Sequence, residues 1–560
     1  MTQQTFSPEV KPEIVFVFEL VRDIVAGKLR IPNFQRRYVW RRSQMVDLLD
    51  SIRRRYPIGS LLVWDTDEGL GSSPTIGHIV VQKKAAGGVY SYVLDGHQRL
   101  STLAGTLTAP VDEKSIPEDD DPERWKIWYN AKDEQFEHLG HGETHQAWHF
   151  PMHKLMDTIA FLDECRRILK EGGDEGELYV SKVQELLRAF SEYKLPVIRI
   201  RNTELTQAVD IFARLNSKGQ AMSPDQMVTA LMYKEDAKGK SELNIAEVID
   251  DLKGMLIGYG FGKINRTIVL RALLACLKED IYRTDWTRLT DKKRNELQRR
   301  LPEIVKPTMA AMEGAAQFLN SIGVYNERLL PYSTQLIVLT AFFLKCKQPG
   351  PQQTAFLKRW FWVSSYTGWF ASASTTRIGH LVNEMRDKVS QKSEPSSLEN
   401  MRMDEPAQSF PKTFNMSSAR ARTWLLVLLD LNPMDSNGKL LTEPWKMVAE
   451  QVPNAVGYIA ATVQDRDLRS SPANRILRIT TDRSQGWNWL SVLKENVRNE
   501  VLESHGIPSE AWEPLSSGDR DAFIKMRQDY LIQLELDHMQ EQGVTPPLDS
   551  TPQAAPIDTE

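Results

Sequence analysis

Strand-type runs crowd the N-terminal part of this chain, and from about residue 152 long helical periods take over. A run of strands followed by a run of helices builds an α+β fold. IGSLLVWD (58–65), TIGHIVVQKK (75–84) and GVYSYVLD (88–95) are short, β-branched or aromatic, and separated by Gly, Ser and Pro. They read as strands of one small sheet, with AAGG (85–88) as a hairpin loop joining the last two. SQMVDLLDSIRRRYP places Met45, Leu48, Leu49 and Ile52 at helical spacing, with Ser43 positioned to cap the helix and Pro57 to stop it. The acidic VDEKSIPEDDDPER reads as an exposed loop, and RWKIWYN as another strand.

MDTIAFLDECRRILKEG and YVSKVQELLRAFSEY are helical; a single strand, LPVIRIR, precedes the helices LTQAVDIFARLN and SPDQMVTALMYKE. KVSQKSEPSSLENMRMDEPAQS has linker composition, and VTPPLDSTPQAAPIDTE is a Pro-rich acidic tail. The expected organisation is a small mixed-sheet domain at 13–150, a helical domain at 151–390, a mainly helical domain at 410–540 and a disordered tail at 541–560. No internal repeat of solenoid period is visible.

Composition excludes several classes. Lys plus Arg total 70 against 74 Asp plus Glu, so the surface as a whole is not one that grips nucleic acid, and any basic site is local. Three scattered cysteines, without CxxC or Cys/His spacing, argue against a disulfide scaffold or a cysteine-built zinc site. The N-terminus does not read as a secretory signal, and the longest apolar run is too short to span a bilayer, so the expected compartment is the cytoplasm.

The sharpest concentration of chemistry is YVLDGHQRLSTL, 92–103. With a strand before it and a helix after it, Asp95, Gly96 and His97 form the turn, and Gln98 and Arg99 the first helical turn. Free N–H groups at a helix start favour anions, and glycine lets a ligand approach the main chain. Arg99 can fork onto phosphate, His97 and Gln98 add donors, and Asp95 can hold Mg²⁺ or orient a basic group. The plainer alternative stays open: Asp95 caps the helix and Arg99 pairs with a surface carboxylate. A second concentration, IPNFQRRYVWRR (31–42), sets arginines among Phe34, Tyr38 and Trp40. It suits base stacking and phosphate contact, or equally a pair of core aromatics with solvated arginines.

IPNFQRRYVW, YPIGSLLVW and VLDGHQR, in this order and at these separations, resemble the N-terminal domain of GmrSD-type restriction systems. IFARLNSKGQAMSPDQM resembles a later segment of that family, and LPYSTQLIVLTAFFL and RWFWVSSYTGWFASASTTRI its following part, so the similarity covers about 13–390. The resemblance implies a ParB/sulfiredoxin-like fold and an Asp-Gly-Gln-Gln-Arg motif. It further implies a nucleoside triphosphate bound and hydrolysed with Mg²⁺ in defence against foreign or modified DNA. Carried over by position, Asp95, Gly96, Gln98 and Arg99 match the motif, and His97 stands where its commonest form has Gln. The catalytic set would be Asp95, Arg99 and His97, with Asp95 toward Mg²⁺ and Gln35, Arg36, Gly96 and Gln98 contacting nucleotide. The charge of His97 would make activity pH-dependent near about pH 6 to 7. Asn216, Gly219, Ser223 and Asp225 match the later segment as a secondary set, or simply make a turn and start a helix.

Many relatives carry an HNH-type nuclease at the C-terminus. Here SARARTWLLVLLDLNPMD, SPANRILRIT and FIKMRQDYL resemble its surroundings, yet no histidine lies between His380 and His505. That chemistry needs an imidazole, so 410–540 reads as a degenerate nuclease-like domain kept for DNA or partner binding. The histidines of EHLGHGETHQAWHFPMH (137–153) are interrupted by Gly140, Gly142 and Pro151, which spoils helical alignment as metal ligands. GYGFGK (258–263) misses the phosphate-loop spacing, DDLK (250–253) sits in a helical run, and the Trp/Phe stripe of LKRWFWVSSYTGWF reads as core.

Three functions compete. The first is a nucleotide hydrolase or nucleotide-gated sensor that works with a separate nuclease subunit, self-association being left open. The second is a non-enzymatic DNA-binding module with a vestigial pocket, and the third is a nuclease with an unrecognised site in 410–540.

Overall fold

The computed structural model describes residues 9–32, 38–67, 72, 75–76, 79–81, 89–108, 122–139, 144–203, 207–208, 211, 245–282, 291–393, 395–451, 455–477 and 486–548. The chain divides into two compact units, Met1–Ala246 with Asp285–Leu297, and Glu247–Thr284 with Gln298–Glu560. Its class is α+β, as expected.

In the first unit the elements are β1 (Glu9–Phe16), α1 (Val17–Val25), β2 (Leu29–Arg30), α2 (Arg42–Arg53), β3 (Leu61–Thr66), β4 (Thr75–Ile76), β5 (Ile79–Val80), β6 (Tyr90–Asp95) and α3 (His97–Leu107). There follow β7 (Trp128–Asn130), β8 (Gln135–Glu137), β9 (His149–Pro151), α4 (Thr158–Glu171), α5 (Gly176–Glu192) and β10 (Lys194–Arg201). A mixed five-stranded sheet runs in the order β1-β10-β3-β6-β2. β10 lies parallel to β3 and antiparallel to β1, and β6 lies antiparallel to β3 and parallel to β2.

Four expectations change here. LPVIRIR is an inner strand of the N-terminal sheet, so the unit built on that sheet runs past residue 150. Among the described residues TIGHIVVQKK does not pair with GVYSYVLD. It folds on itself, Ile76 opposite Ile79, while β6 takes β3 and β2 as neighbours. The AAGG loop lies outside the described residues. α2 starts one residue before Ser43, and its N-terminal hydrogen bond runs from the Arg41 amide to Gln44 Oε1 at 3.0 Å. Of RWKIWYN only Trp128–Asn130 is strand.

Side-chain alternation gives the sheet two different faces. Leu61, Val63, Val93, Leu195 and Val197 meet Leu20 and Ile24 of α1 and Leu100 and Ala104 of α3. Leu62, Trp64, Tyr92, Leu94 and Ile200 form a second cluster with Ala208. Beyond the helices, the first face turns polar. Buried Asp65 accepts from Ser91 Oγ (2.7 Å), Arg199 Nη1 (2.9 Å) and Arg201 Nε (3.0 Å), a satisfied carboxylate that ties three strands together. β1 is an edge strand. Val17 donates its N–H to Tyr193 O, which fixes the ladder phase and turns the Pro12 nitrogen toward the open edge, where no donor is needed.

α3 is buried along almost its whole length because a second core lies behind it. Leu103 and Leu107 pack with Trp125, Tyr129, Phe136, Phe150, Phe190 and the inner faces of α2, α4 and α5. Its small residues suit that position: a Cβ at Gly105 would sit 2.3 Å from the Trp125 ring.

The second unit is mainly helical, with one two-stranded sheet, Val456–Tyr458 against Arg475–Leu477, among its described residues. LKRWFWVSSYTGWF is core, with Trp360, Phe361, Tyr366 and Trp369 buried. A fully buried Arg420–Glu535 pair (2.8 and 2.5 Å) joins the helices Ala419–Asp430 and Arg520–Glu541. Arg527 donates to the carbonyls of Ala473, Arg475 and His505 at 2.6 to 2.7 Å.

The expected linker is packed. The Glu384 carboxylate accepts from the amides of Glu399 and Asn400, and Met401 and Met403 are buried. Residues 410–540 accordingly share one compact unit with the helices before them. The start of the expected tail is also placed, since Val544 is buried and Thr545 bridges Pro406, while 549–560 lie outside the described residues. GYGFGK follows the C-terminus of the helix Ile245–Leu256, the wrong polarity for phosphate, and Gly260 packs against Tyr325 O.

Candidate functional site

The expected corner exists. β6 ends at Asp95, Gly96 turns the chain at φ 89° and ψ 10°, and α3 begins at His97. The left-handed conformation needs glycine, and a Cβ there would lie 2.3 Å from Leu61 Cδ2 and 3.0 Å from Arg99 Nη2. Gly96→Ala should therefore lower stability by about 2 kcal/mol, readable as a shift in the urea midpoint of the first unit.

Gln98 is the hub of a polarised chain of hydrogen bonds. The Val39 amide donates to Gln98 Oε1 at 3.0 Å, which fixes the orientation of the side-chain amide. Gln98 Nε2, 2.8 Å from His97 Nε2, is then the donor, so the imidazole offers its lone pair there and carries its proton on Nδ1. A long-range ¹H–¹⁵N correlation spectrum at neutral pH should report the Nδ1–H tautomer for His97, and Gln98→Ala should release it to a tautomer mixture. One turn on, Thr102 donates to the Gln98 carbonyl (2.9 Å), so its oxygen accepts from the Tyr38 hydroxyl (2.7 Å). The end of the basic-aromatic segment is thus fastened across the first two turns of α3.

Arg99 faces the other way. Nη1 donates to Ile58 O at 2.6 Å and Nη2 to Ser60 O at 2.8 Å, spanning the turn whose centre, Gly59, has φ 85°. Burial pushes the guanidinium below its ordinary value, against the nearby Asp95 carboxylate. The Asp95 carboxylate stands 3.5 Å from Nη2, and its side chain is 44% exposed against 18% for Arg99. Asp95 is therefore the group the corner presents outward, while the Arg99 fork is engaged with the main chain.

Ala208 joins the apolar cluster of Leu62 and Leu94, the residue before Asp95, and Ile211, the first residue of the later segment, packs against it. Gln35 and Arg36, like Asn216, Gly219, Ser223 and Asp225, lie outside the described residues. Tyr38 and Trp40, both partly buried, pack against the second core, Tyr38 with its ring 4.7 Å from Trp125. Arg53 and Arg54 pair with Asp50, and Arg55 with Glu192.

In the histidine-rich segment, His149 Nε2 lies 2.7 Å from Glu137, His138 contacts Arg124 O and His145 stacks on Trp128. Among the described residues no three His, Cys, Asp or Glu side chains converge on a metal-sized site. Sequence reasoning missed the carbonyls of Ile58 and Ser60 as Arg99 acceptors. The signal available was the Pro-Ile-Gly of YPIGS, a turn that exposes main-chain acceptors.

Residues 17–233 match the GmrSD restriction endonuclease, N-terminal domain, family, so this part of the chain is a domain of that family. The uncharacterized protein MJ0686 of Methanocaldococcus jannaschii is 21% identical over 471 residues, covering 75% of this chain and 76% of that protein. Among the described residues no helix is long and apolar enough to cross a membrane.

Proposed function

From this GmrSD-type N-terminal domain we propose a nucleotide-binding and nucleotide-hydrolysing component of a restriction-like defence system that acts on foreign or modified DNA. The observation that carries this reading is convergence. Segments far apart in sequence, at 38–39, 58–60 and 208, are tied by hydrogen bonds or packing to the strand and helix that flank Gly96. Such a constellation suits an anionic ligand seated at the start of α3, with Asp95 at its edge.

Asp95 is a single accessible carboxylate, a donor set that fits Mg²⁺ arriving on a polyphosphate rather than one caged by protein. The ion would neutralise charge on the transferring phosphoryl group. Gln98 positions His97 and the 38–39 segment, and Arg99 positions the Gly59 turn. Gln35 and Arg36 complete the proposed nucleotide contacts, and Asn216, Gly219 and Asp225 a secondary set. We extend the proposal to a ParB/sulfiredoxin-like fold and to a degenerate nuclease-like region at 410–540 without HNH chemistry, which would leave cleavage to a partner subunit.

The test is phosphate release from each nucleoside triphosphate, with and without DNA. Asp95→Asn should reduce turnover by about 10²-fold or more while a nonhydrolysable analogue still binds. Absence of nucleotide binding in the wild type would end the proposal. A salt-dependent DNA affinity that nucleotide leaves unchanged would favour a plain DNA-binding module.

A further inference from the structure

We propose that the cavity behind the Gly59 turn binds a small organic anion with a flat apolar body, and that its occupancy is coupled to the Asp95–Arg99 corner. This does not require the ligand of the corner to be a nucleotide.

The cavity has a volume of ≈ 460 Å³, with Pro57, Ile58, Gly59, Ala189, Tyr193 and Pro196 forming an apolar slot. Charge at its rim is unequal. Arg55 is matched by Glu192 at 2.9 Å, whereas Lys194, whose ammonium lies over the Phe16 ring, has no carboxylate partner among the described residues. One cation is thus left for a ligand of a size the volume admits.

The coupling follows from what pins the wall. On the cavity side, the Tyr193 hydroxyl donates to Tyr56 O at 2.5 Å, fastening the residue that precedes Pro57 and Ile58. On the far side, the Ile58 and Ser60 carbonyls accept the two Nη groups of Arg99. The wall is one residue thick, for a Cβ on Gly59 would lie 2.6 Å from Arg99 Nη1. A ligand that presses on Ile58 and Gly59 moves the acceptors of Arg99 and, through Nη2, the neighbour of Asp95. By linkage, a change in the Arg99 clamp must alter affinity in the cavity.

The experiment uses 1-anilinonaphthalene-8-sulfonate, a flat aromatic monoanion, titrated into the full chain by fluorescence and calorimetry. We expect one saturable site per chain. Ala189→Trp, which fills the slot, should weaken it about tenfold or more, and Lys194→Glu, at an exposed position that leaves the fold alone, about fivefold or more. Arg99→Lys should shift the affinity about fivefold by altering the wall. Melting curves and circular dichroism separate these effects from loosening of the fold, and Lys194→Glu decides the matter should Ala189→Trp not fold. Absence of saturable binding, or binding indifferent to both cavity variants, overturns the site. Unchanged affinity in Arg99→Lys overturns the coupling.

Discussion

Arg99→Ala is expected to lower the stability of the first unit by about 2–4 kcal/mol and to abolish ligand binding at the corner. The side chain makes two charge-assisted hydrogen bonds to carbonyls that would be left without donors, and it separates the Gly59 turn from Asp95. Arg99→Lys distinguishes the two roles this residue could have. If Arg99 served only as a positive charge for phosphate, lysine would keep much of the function. A lysine ammonium lacks the rigid fork that reaches Ile58 O and Ser60 O together, so the clamp predicts a loss close to that of alanine. Urea unfolding of both variants, with ligand titration on the folded protein, makes the comparison. Recovery of binding in Arg99→Lys would rule out the clamp.

The second large effect is acid destabilisation of the second unit. His505 is buried, donates Nε2–H to Met434 O at 2.8 Å, and has no partner for Nδ1 among the described residues; burial lowers it to about 4. His538, beside the Tyr366 hydroxyl at 3.0 Å and the Trp362 ring, is lowered to about 4 by burial and by Lys358. Both histidines bind a proton more tightly in the unfolded chain, so between about pH 4 and 6.5 the unfolded state holds more protons. Stability is therefore complete above that window and falls as pH drops through it, by up to about 3 kcal/mol for His505 and less for partly shielded His538. Against a usual total of about 5–15 kcal/mol, this is a large fraction of the stability of the unit. Urea midpoints measured from pH 7 to pH 4 should decline, and a His505→Asn, His538→Gln double variant should flatten the slope. A decline of equal steepness in that variant would place the acid sensitivity elsewhere.

The corner itself was legible because its cause is local. Six residues of β-type sequence, a glycine and a run of small residues can hardly do otherwise than make strand, left-handed turn and helix, and 90–107 does so. α4 likewise begins where Asp157 can accept from the amides of Ile159 and Ala160. What failed was pairing. Nothing within LPVIRIR states which sheet it joins, although a strand without neighbours must find one. The apparent linker was misread for a related reason: its main-chain amides and carbonyls satisfy a buried Glu384 and the Gln353 side chain, partners that composition does not reveal.

By itself, the sequence determined the α+β class, the strand–turn–helix corner and the family of the first domain, because these rest on propensity, spacing and short motifs. Tertiary structure alone decided that Arg99 holds a turn rather than pointing outward, that Asp95 is the exposed group, and that β10 lies between β1 and β3. The division has one physical origin. Backbone conformation is set by neighbours along the chain, whereas a carbonyl forty residues away becomes an acceptor only when packing brings it within reach.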